Sequence, residues 1–235
     1  MDMTNRRNRP ETGADEGGTL SGLSVSAVVA VRMNFAVQHL LAAAHFAQLA
    51  HQAEEANAGK KFGPFFEEVL WVVSACVFSS VAGVESYANE TFVDRETTFP
   101  DIQGDLADKI WQLCERDWAI EKFDVVCRLR GAGVLDRGSH RAQDLAALVA
   151  LRNGLTHFKP QWDTETAAHA KISRLLEGKF EPSSVILGEP IFPRCWACYS
   201  CARWAVDASR DFLLMIETTA GLPQKVGKHK GRIRG

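Results

Sequence analysis

Three features are missing from this sequence of 235 residues, and each absence excludes a class of protein. There is no excess of one charge sign, since the formal net charge is -2. A chain-wide field therefore does not hold the protein on nucleic acid or an anionic membrane, and any contact with RNA or DNA must be local. The most apolar stretch, residues 69–84, is interrupted by serines and is shorter than a membrane span of about 20 residues. It predicts a buried core helix and no membrane association.

The third absence is an export signal. The basic residues near the N-terminus are followed by acidic residues and glycines, and not by an apolar segment with a cleavage site. We therefore expect a cytoplasmic protein whose six cysteines are reduced thiols.

Two groups of residues, one of cysteines and one of histidines, could either bind a metal or serve only in packing. Cys195, Cys198 and Cys201 form a CxxCxxC run, which is part of an iron–sulfur ligand pattern without its fourth ligand and its proline. The pattern also predicts that they lie in one continuous helix, where cysteine packs as a small apolar residue, and we favour this interpretation. His39, His45 and His51 are six residues apart, which scatters them around a helix and does not favour a zinc site.

The ends of the chain differ from its middle. Residues 1–22 are polar and rich in charge and glycine, which predicts a disordered tail. One helical domain is expected over residues 23–220, with a β-like stretch at 24–31. Residues 221–235 are expected to form a flexible basic tail; its cations are Lys225, Lys228, Lys230, Arg232 and Arg234.

Apolar residues recur at helical spacing through the middle of the chain. They predict helices at about 34–56, 65–92, 105–114, 118–129, 140–158, 164–177 and 194–219. The second is apolar on nearly all sides and should be central. Because no convincing alternating strand pattern and no internal repeat occur, the fold class is all-α, a helical bundle.

One charged residue interrupts an apolar helix face. In the helix predicted at 140–158 the apolar residues Leu145, Leu148 and Leu155 share a face, and Arg152 occupies the i+7 position of that face. An arginine there must meet an acidic group, backbone carbonyls or a phosphate, because an unpaired buried charge costs several kcal/mol.

Two further polar residues follow Arg152. Asn153 is its neighbour, and His157 lies four residues after Asn153, so the three side chains share one arc of a helix. Gly154 is expected to leave that arc uncrowded.

Residues 151–158, LRNGLTHF, resemble the signature of the HEPN family, in which an arginine is followed after four to six residues by a histidine. Residues 84–90, VESYANE, are similar to a segment with Glu and Asn in many bacterial HEPN-like proteins. There Glu85 and Asn89 lie on one helix face as partners for Arg152. Segments 121–162 and 201–206 also look like this uncharacterised bacterial group. Lys159 stands where a toxin subgroup has tyrosine.

The resemblance implies an up-and-down bundle with four core helices and accessory helices. It implies a homodimer in which Arg152 and His157 of both subunits meet across a cleft. The implied activity is metal-independent endoribonuclease, in stress response, toxin–antitoxin systems or phage defence, with no cofactor. An antitoxin-type protein is then a partner.

Each residue has a role under that resemblance. His157 would be the general acid or base, Arg152 would hold the phosphate, and Asn153 would orient either one. Glu85 and Asn89 would support Arg152 from behind. The alternative is a non-catalytic dimerisation or protein- and RNA-interaction module, in which Arg152, Glu85 and His157 only fix helix register.

Overall fold

The computed structural model describes residues 32–160, 167–186 and 188–235. The chain divides into two units, Met1–Met33 and Asn34–Gly235. The predicted disordered tail at 1–22 and the β-like stretch at 24–31 lie outside the described residues. The eight α-helices of the described residues all belong to the second unit.

Seven of these helices correspond to the predicted ones with shifts at their ends, and the short α3 was not predicted. The eight helices of the described residues are α1 (Ala36–Ala56), α2 (Phe65–Val93), α3 (Arg95–Thr98), α4 (Gly104–Cys114), α5 (Ala119–Leu129), α6 (His140–Thr156), α7 (Ala167–Leu176) and α8 (Tyr199–Thr219). Short irregular turns occupy Ile191–Cys195 and Gly227–His229. No strand occurs within the described ranges, which confirms the all-α class.

Four helices, α1, α2, α6 and α8, pack in alternating directions around one core. The Tyr87 hydroxyl of α2 donates to Glu217 of α8 at 3.1 Å, and Cys76 lies beside Ala202 of α8, so α2 and α8 run in parallel. The start of α1 meets the end of α2, where the Ala36 amide donates to Glu90 at 2.9 Å. The start of α6 lies near the end of α8, so α1 and α6 oppose the central pair.

Helices α1 and α2 approach closely because small residues face each other. A Cβ at Gly83 would lie 2.8 Å from Leu40 and 3.2 Å from the carbonyl oxygen of Ala36. Helix α1 adds a row of buried alanines, including Ala43, Ala47 and Ala50. An added methyl group here would have to push two backbones apart, which a close-packed interior resists.

The length argument against a membrane span was wrong for α2. This helix has 29 residues and a mean hydropathy of 1.7 over its most apolar window, so it is long and apolar enough to cross a membrane. In the structure 44% of that window is buried by the rest of the protein. The buried residues of this window pack against α1 and α8.

The last helix begins later than the sequence predicts. Cys198 has an extended backbone, with φ -156° and ψ 160°, so residues 194–198 do not continue into α8. The first amide of α8, that of Tyr199, donates at 2.8 Å to the carboxylate of Glu54 from the end of α1. A distant residue therefore satisfies a helix terminus that local sequence leaves open.

The expectation of a flexible tail at 221–235 was wrong. Val226 and Ile233 are fully buried. The buried carboxylate of Glu217 accepts hydrogen bonds from the amides of Val226 at 2.6 Å and Gly227 at 3.0 Å. Two apolar side chains and one buried acceptor hold this segment. Its high content of basic residues had suggested a solvated tail.

Candidate functional site

Arg152 and Glu85 form an ion pair between α6 and α2. One terminal nitrogen of the guanidinium, Nη2, donates to Oε1 of Glu85. The side chain of Arg152 is 23% exposed and that of Glu85 is 47% exposed. Leu151, which is fully buried, takes the core position beside them. The pair therefore lies at the rim of the bundle and not inside its core.

The guanidinium of Arg152 has spare donors. An arginine carries five N–H groups, and within the described residues only one hydrogen bond from its guanidinium is found, from Nη2 to Glu85. A phosphate needs two parallel N–H donors for bidentate binding. The Nε–H, both N–H groups of Nη1 and the second N–H of Nη2 therefore stay available to an anion.

His157 is the first residue after α6, not its last turn. Its amide donates to the carbonyl of Asn153 at 2.9 Å. The residue is exposed, and within the described residues its imidazole has no hydrogen-bond partner. The expected shared helical arc therefore ends at Thr156, and His157 reaches solvent from a loop.

Asn153 lines a groove of about 500 Å³ between α6, α2 and the start of α5, and Glu85 lines it too. The floor of this groove is apolar; it consists mainly of Ala142, Ala146, Val149 and Ala150. Trp118 forms a wall with 57% of its surface exposed. Sequence reasoning missed Trp118, because a tryptophan before a helix gives no signal until α5 and α6 are brought together.

A second ion pair also lines this groove. Both terminal nitrogens of Arg137 donate to Glu121, at 2.7 Å and 2.5 Å. The charged residues of the lining are therefore Glu85, Glu121 and Arg137, and the rest of it is mostly apolar. Arg152 meets the groove only through its contact with Glu85.

Asn89 does not support Arg152, contrary to expectation. Its side-chain oxygen accepts a hydrogen bond from the ammonium of Lys122 in α5 at 2.9 Å. Lys122 is itself buried and lies 5.1 Å from the centre of the Trp111 ring. Although Asn89 follows Glu85 by one helical turn, α5 and not α6 reaches its side chain.

Gly154 is crowded, not open. A Cβ there would lie 2.6 Å from the end of Ile172 in α7 and 3.1 Å from the ring of Phe192. The glycine lets α7 and the turn before α8 pack against α6. It therefore serves packing behind the Arg152 side of the helix.

The three cysteines of the CxxCxxC run are buried, but they do not share one helix. The thiol of Cys195 donates a hydrogen bond to the carbonyl of Glu189 at 3.3 Å, and that of Cys198 donates to the carbonyl of Glu181 at 3.3 Å. Cys201 lies inside α8. Burial raises the pKa of Cys198 to about 12. All six cysteines of the chain are free thiols.

Metal-ligand clusters are not found in the described part of the chain, where no three His, Cys, Asp or Glu residues are placed to share an ion. The histidines of α1 have other neighbours. His51 stacks on Tyr199 at 4.4 Å between ring centres, and His39 and His45 lie beside phenylalanine rings.

An apolar stripe crosses the surface next to the ion pair. Trp71 and Phe78 of α2 are 65% and 40% exposed and are seven residues apart, as are Phe78 and Glu85. Residues at that spacing lie on one helix face. Phe158, which follows His157, lines a groove of about 640 Å³ with Trp71 and Phe78. The stripe therefore points along α2 toward Glu85 and borders the His157 loop.

Comparison with known proteins adds no assignment. No family model, no curated protein and no solved structure matches this chain.

Proposed function

We propose that this protein is a HEPN-like, metal-independent endoribonuclease that acts as a homodimer. The observation that carries the proposal is the state of two groups five residues apart in the chain. Arg152 is held by Glu85 with part of its guanidinium unused, and His157, directly after α6, is exposed. An anchored cation and a free imidazole are the two kinds of group that RNA cleavage without a metal uses.

The proposed reaction is an internal transfer at phosphorus. The ribose 2′-oxygen loses its proton to an imidazole and attacks the adjacent phosphorus. The bond from phosphorus to the 5′-oxygen breaks, and that oxygen receives a proton, which gives a 2′,3′-cyclic phosphate and a 5′-hydroxyl. His157 of one subunit takes the first proton, and that of the other subunit supplies the second.

Arg152 binds the non-bridging oxygens of the phosphate through its unused N–H groups. Charge grows on those oxygens in the transition state, so a fixed guanidinium lowers the barrier. Glu85 keeps the guanidinium in place by accepting a hydrogen bond from Nη2. Asn153, on the groove side of α6, orients the ribose or the imidazole. No cofactor takes part.

The apolar stripe supports the homodimer. Trp71, Phe78 and Phe158 expose large apolar surfaces, and such patches on soluble proteins commonly mark interfaces. Because Trp71, Phe78 and Glu85 share a face of α2, a second copy that covers the stripe lies next to the ion pair. That placement brings two His157 loops toward one cleft.

The decisive experiment is RNA cleavage in excess EDTA by wild type, His157→Ala and a matched control, His45→Ala. His45 is also exposed but belongs to α1, far along the chain from the site. We expect cleavage that resists EDTA, falls at least about 100-fold in His157→Ala, and is unchanged in His45→Ala. Absence of cleavage by wild type, or equal activity of all three proteins, contradicts the proposal.

One observation favours a second function. The Arg152–Glu85 contact is also what a non-catalytic dimerisation or interaction module would use to fix the register of α2 and α6. That function predicts no nuclease activity and a loss of dimer in Trp71→Ser or Phe78→Ser. Light scattering after size-exclusion chromatography measures the dimer, and the cleavage assay separates the two functions.

A further inference from the structure

A second charged region lies on the opposite end of α6 from His157, where the C-terminal segment packs along α8. Two adjoining grooves of about 520 and 450 Å³ share Arg210 and Lys230 in their lining. Because they share these two residues, the two grooves adjoin and are here together named the basic groove. Its cations are Arg141, Arg203, Arg210, Lys230 and Arg234.

The basic groove has an excess of positive charge. Five cationic side chains line it against two aspartates, Asp207 and Asp211. The whole chain carries -2, so positive charge is concentrated here while the remainder of the chain is acidic. Concentrated charge in a concave surface focuses the field on an anionic partner.

The two aspartates are already used by one arginine. Arg210 lies 2.6 Å from Asp207 and 2.8 Å from Asp211, and it also donates to the carbonyl of Ile233 at 3.1 Å. Its side chain is 14% exposed. Arg210 thus holds the C-terminal segment against α8 and contributes little free charge.

The remaining cations have few partners. Arg141, Lys230 and Arg234 are exposed, and none of them has an ion pair within the described residues. Arg203 approaches Asp207 only at 3.9 Å and is 63% exposed. Four cationic side chains are therefore available along the basic groove. Two of them, Lys230 and Arg234, belong to the segment that the buried Val226 and Ile233 anchor.

The length of the basic groove favours a polymer. The α8 residues that line it run from Arg203 to Thr219, which is about 24 Å at 1.5 Å per residue. That is several times the size of one phosphate group. The apolar side chains of the basic groove, Leu214 and Met215, are half-buried, so they offer little apolar surface to a bilayer.

We infer that the basic groove binds the phosphate backbone of a single-stranded RNA. The choice of RNA over other polyanions rests on the proposed function, since a ribonuclease must hold its substrate beyond the scissile phosphate. Phosphate contacts of this kind position a strand without reading its sequence. The groove is therefore a docking surface for RNA in general, separate from the residues that would cleave it.

The test measures binding of a labelled single-stranded 2′-O-methyl RNA of about 16 nucleotides to the full chain by fluorescence anisotropy. This probe lacks the free 2′-hydroxyl that the proposed cleavage uses, so wild type cannot consume it. The variant carries Arg141→Glu, Lys230→Glu and Arg234→Glu. A control of the same net charge carries Lys61→Glu, Lys109→Glu and Arg116→Glu, three exposed cations from other parts of the surface. We expect the groove variant to bind at least about tenfold more weakly and the control to stay within about twofold of wild type.

Salt dependence gives a second readout. Each phosphate contact on a single strand contributes about -0.7 to the slope of log affinity against log salt concentration. Four available cations predict a slope near -3 for wild type and a slope of about -1 or shallower for the groove variant. Equal losses in the groove and control variants, or no RNA binding by wild type, overturn the inference.

Two further arms separate this inference from its neighbours. The first arm measures binding to vesicles of phosphatidylserine and phosphatidylcholine. If wild type binds these vesicles more tightly than RNA, and the groove variant does not bind them, the groove is a lipid site and the inference is overturned. The second arm compares binding with the cleavage assay. Groove-dependent binding without any cleavage contradicts only the proposed nuclease, whereas cleavage with groove-independent binding contradicts only the groove.

Discussion

Two arginines of this protein contact carboxylates in different ways. Arg210 has two aspartates and a backbone carbonyl as partners, and its side chain is 14% exposed. Arg152 has one carboxylate partner, and that partner, Glu85, is 47% exposed. Arg210 uses its donors for contacts within the protein. Arg152 uses one N–H for Glu85, and its other N–H groups stay available. The comparison separates a guanidinium that fixes structure from one that can still bind a ligand.

The pKa of Arg210 reflects the same difference. Burial alone would lower this pKa, but the hydrogen bond and charge of Asp211, together with Asp207, raise it above the ordinary arginine value. The guanidinium therefore stays charged in a partly buried place because the aspartates compensate for lost water. Removal of Arg210 would leave those carboxylates facing each other.

The largest expected effect is on the C-terminal segment, which Glu217 holds together with Arg210. Glu217→Leu should lower the free energy of unfolding by about 2–4 kcal/mol, because the Val226 and Gly227 amides lose their acceptor and the Tyr87 hydroxyl keeps only the carbonyl of Pro223. Urea unfolding followed by circular dichroism measures the change. Glu217→Gln, which keeps one acceptor oxygen, should lose less, and equal losses would show that the hydrogen bonds contribute little.

A direct comparison of the two arginines comes next in size. Arg210→Met should destabilise by about 1–3 kcal/mol, and Arg152→Met by less than about 1 kcal/mol, as for surface ion pairs. Urea midpoints of both variants and wild type give the difference. If Arg152→Met costs as much as Arg210→Met, Arg152 is a structural arginine and the dimerisation module becomes the better function.

The smallest expected effect concerns Asn89. Asn89→Ala removes the partner of Lys122 and should cost about 1 kcal/mol while RNA cleavage stays at the wild-type rate. Glu85→Gln is the matched variant on the same helix, and it should reduce cleavage because it loosens Arg152. Cleavage rates and urea unfolding of both variants test this difference. A loss of cleavage in Asn89→Ala would show that Asn89 belongs to the candidate site.

Local patterns accounted for most of the helices. The 3.6-residue spacing of apolar side chains, with Pro64 and Ser139 at helix starts, is enough to place α1, α2 and α4 to α6 within a few residues. Ser139 caps α6 by accepting a hydrogen bond from the Ala142 amide. Such signals act within one or two turns, which is why a sequence displays them.

The candidate site was only partly accessible in this way. The pairing of Glu85 with Arg152 followed from an arginine in an apolar face that needed an acceptor. The partner of Asn89, the crowding at Gly154 and the wall formed by Trp118 depend on which helix packs beside which. Side chains on one helix face have several potential neighbours, and only packing selects among them.

By itself the sequence determined the all-α class and the positions of its main helices, because helix formation depends on neighbours a few residues apart. Tertiary structure decided where α8 begins, through Glu54, and whether residues 221–235 fold, through Glu217 and buried Ile233. It also decided which arginine keeps free donors. The contacts behind the start of α8 and the fold of residues 221–235 join groups 9 to 145 residues apart, and they exist only once the bundle has closed.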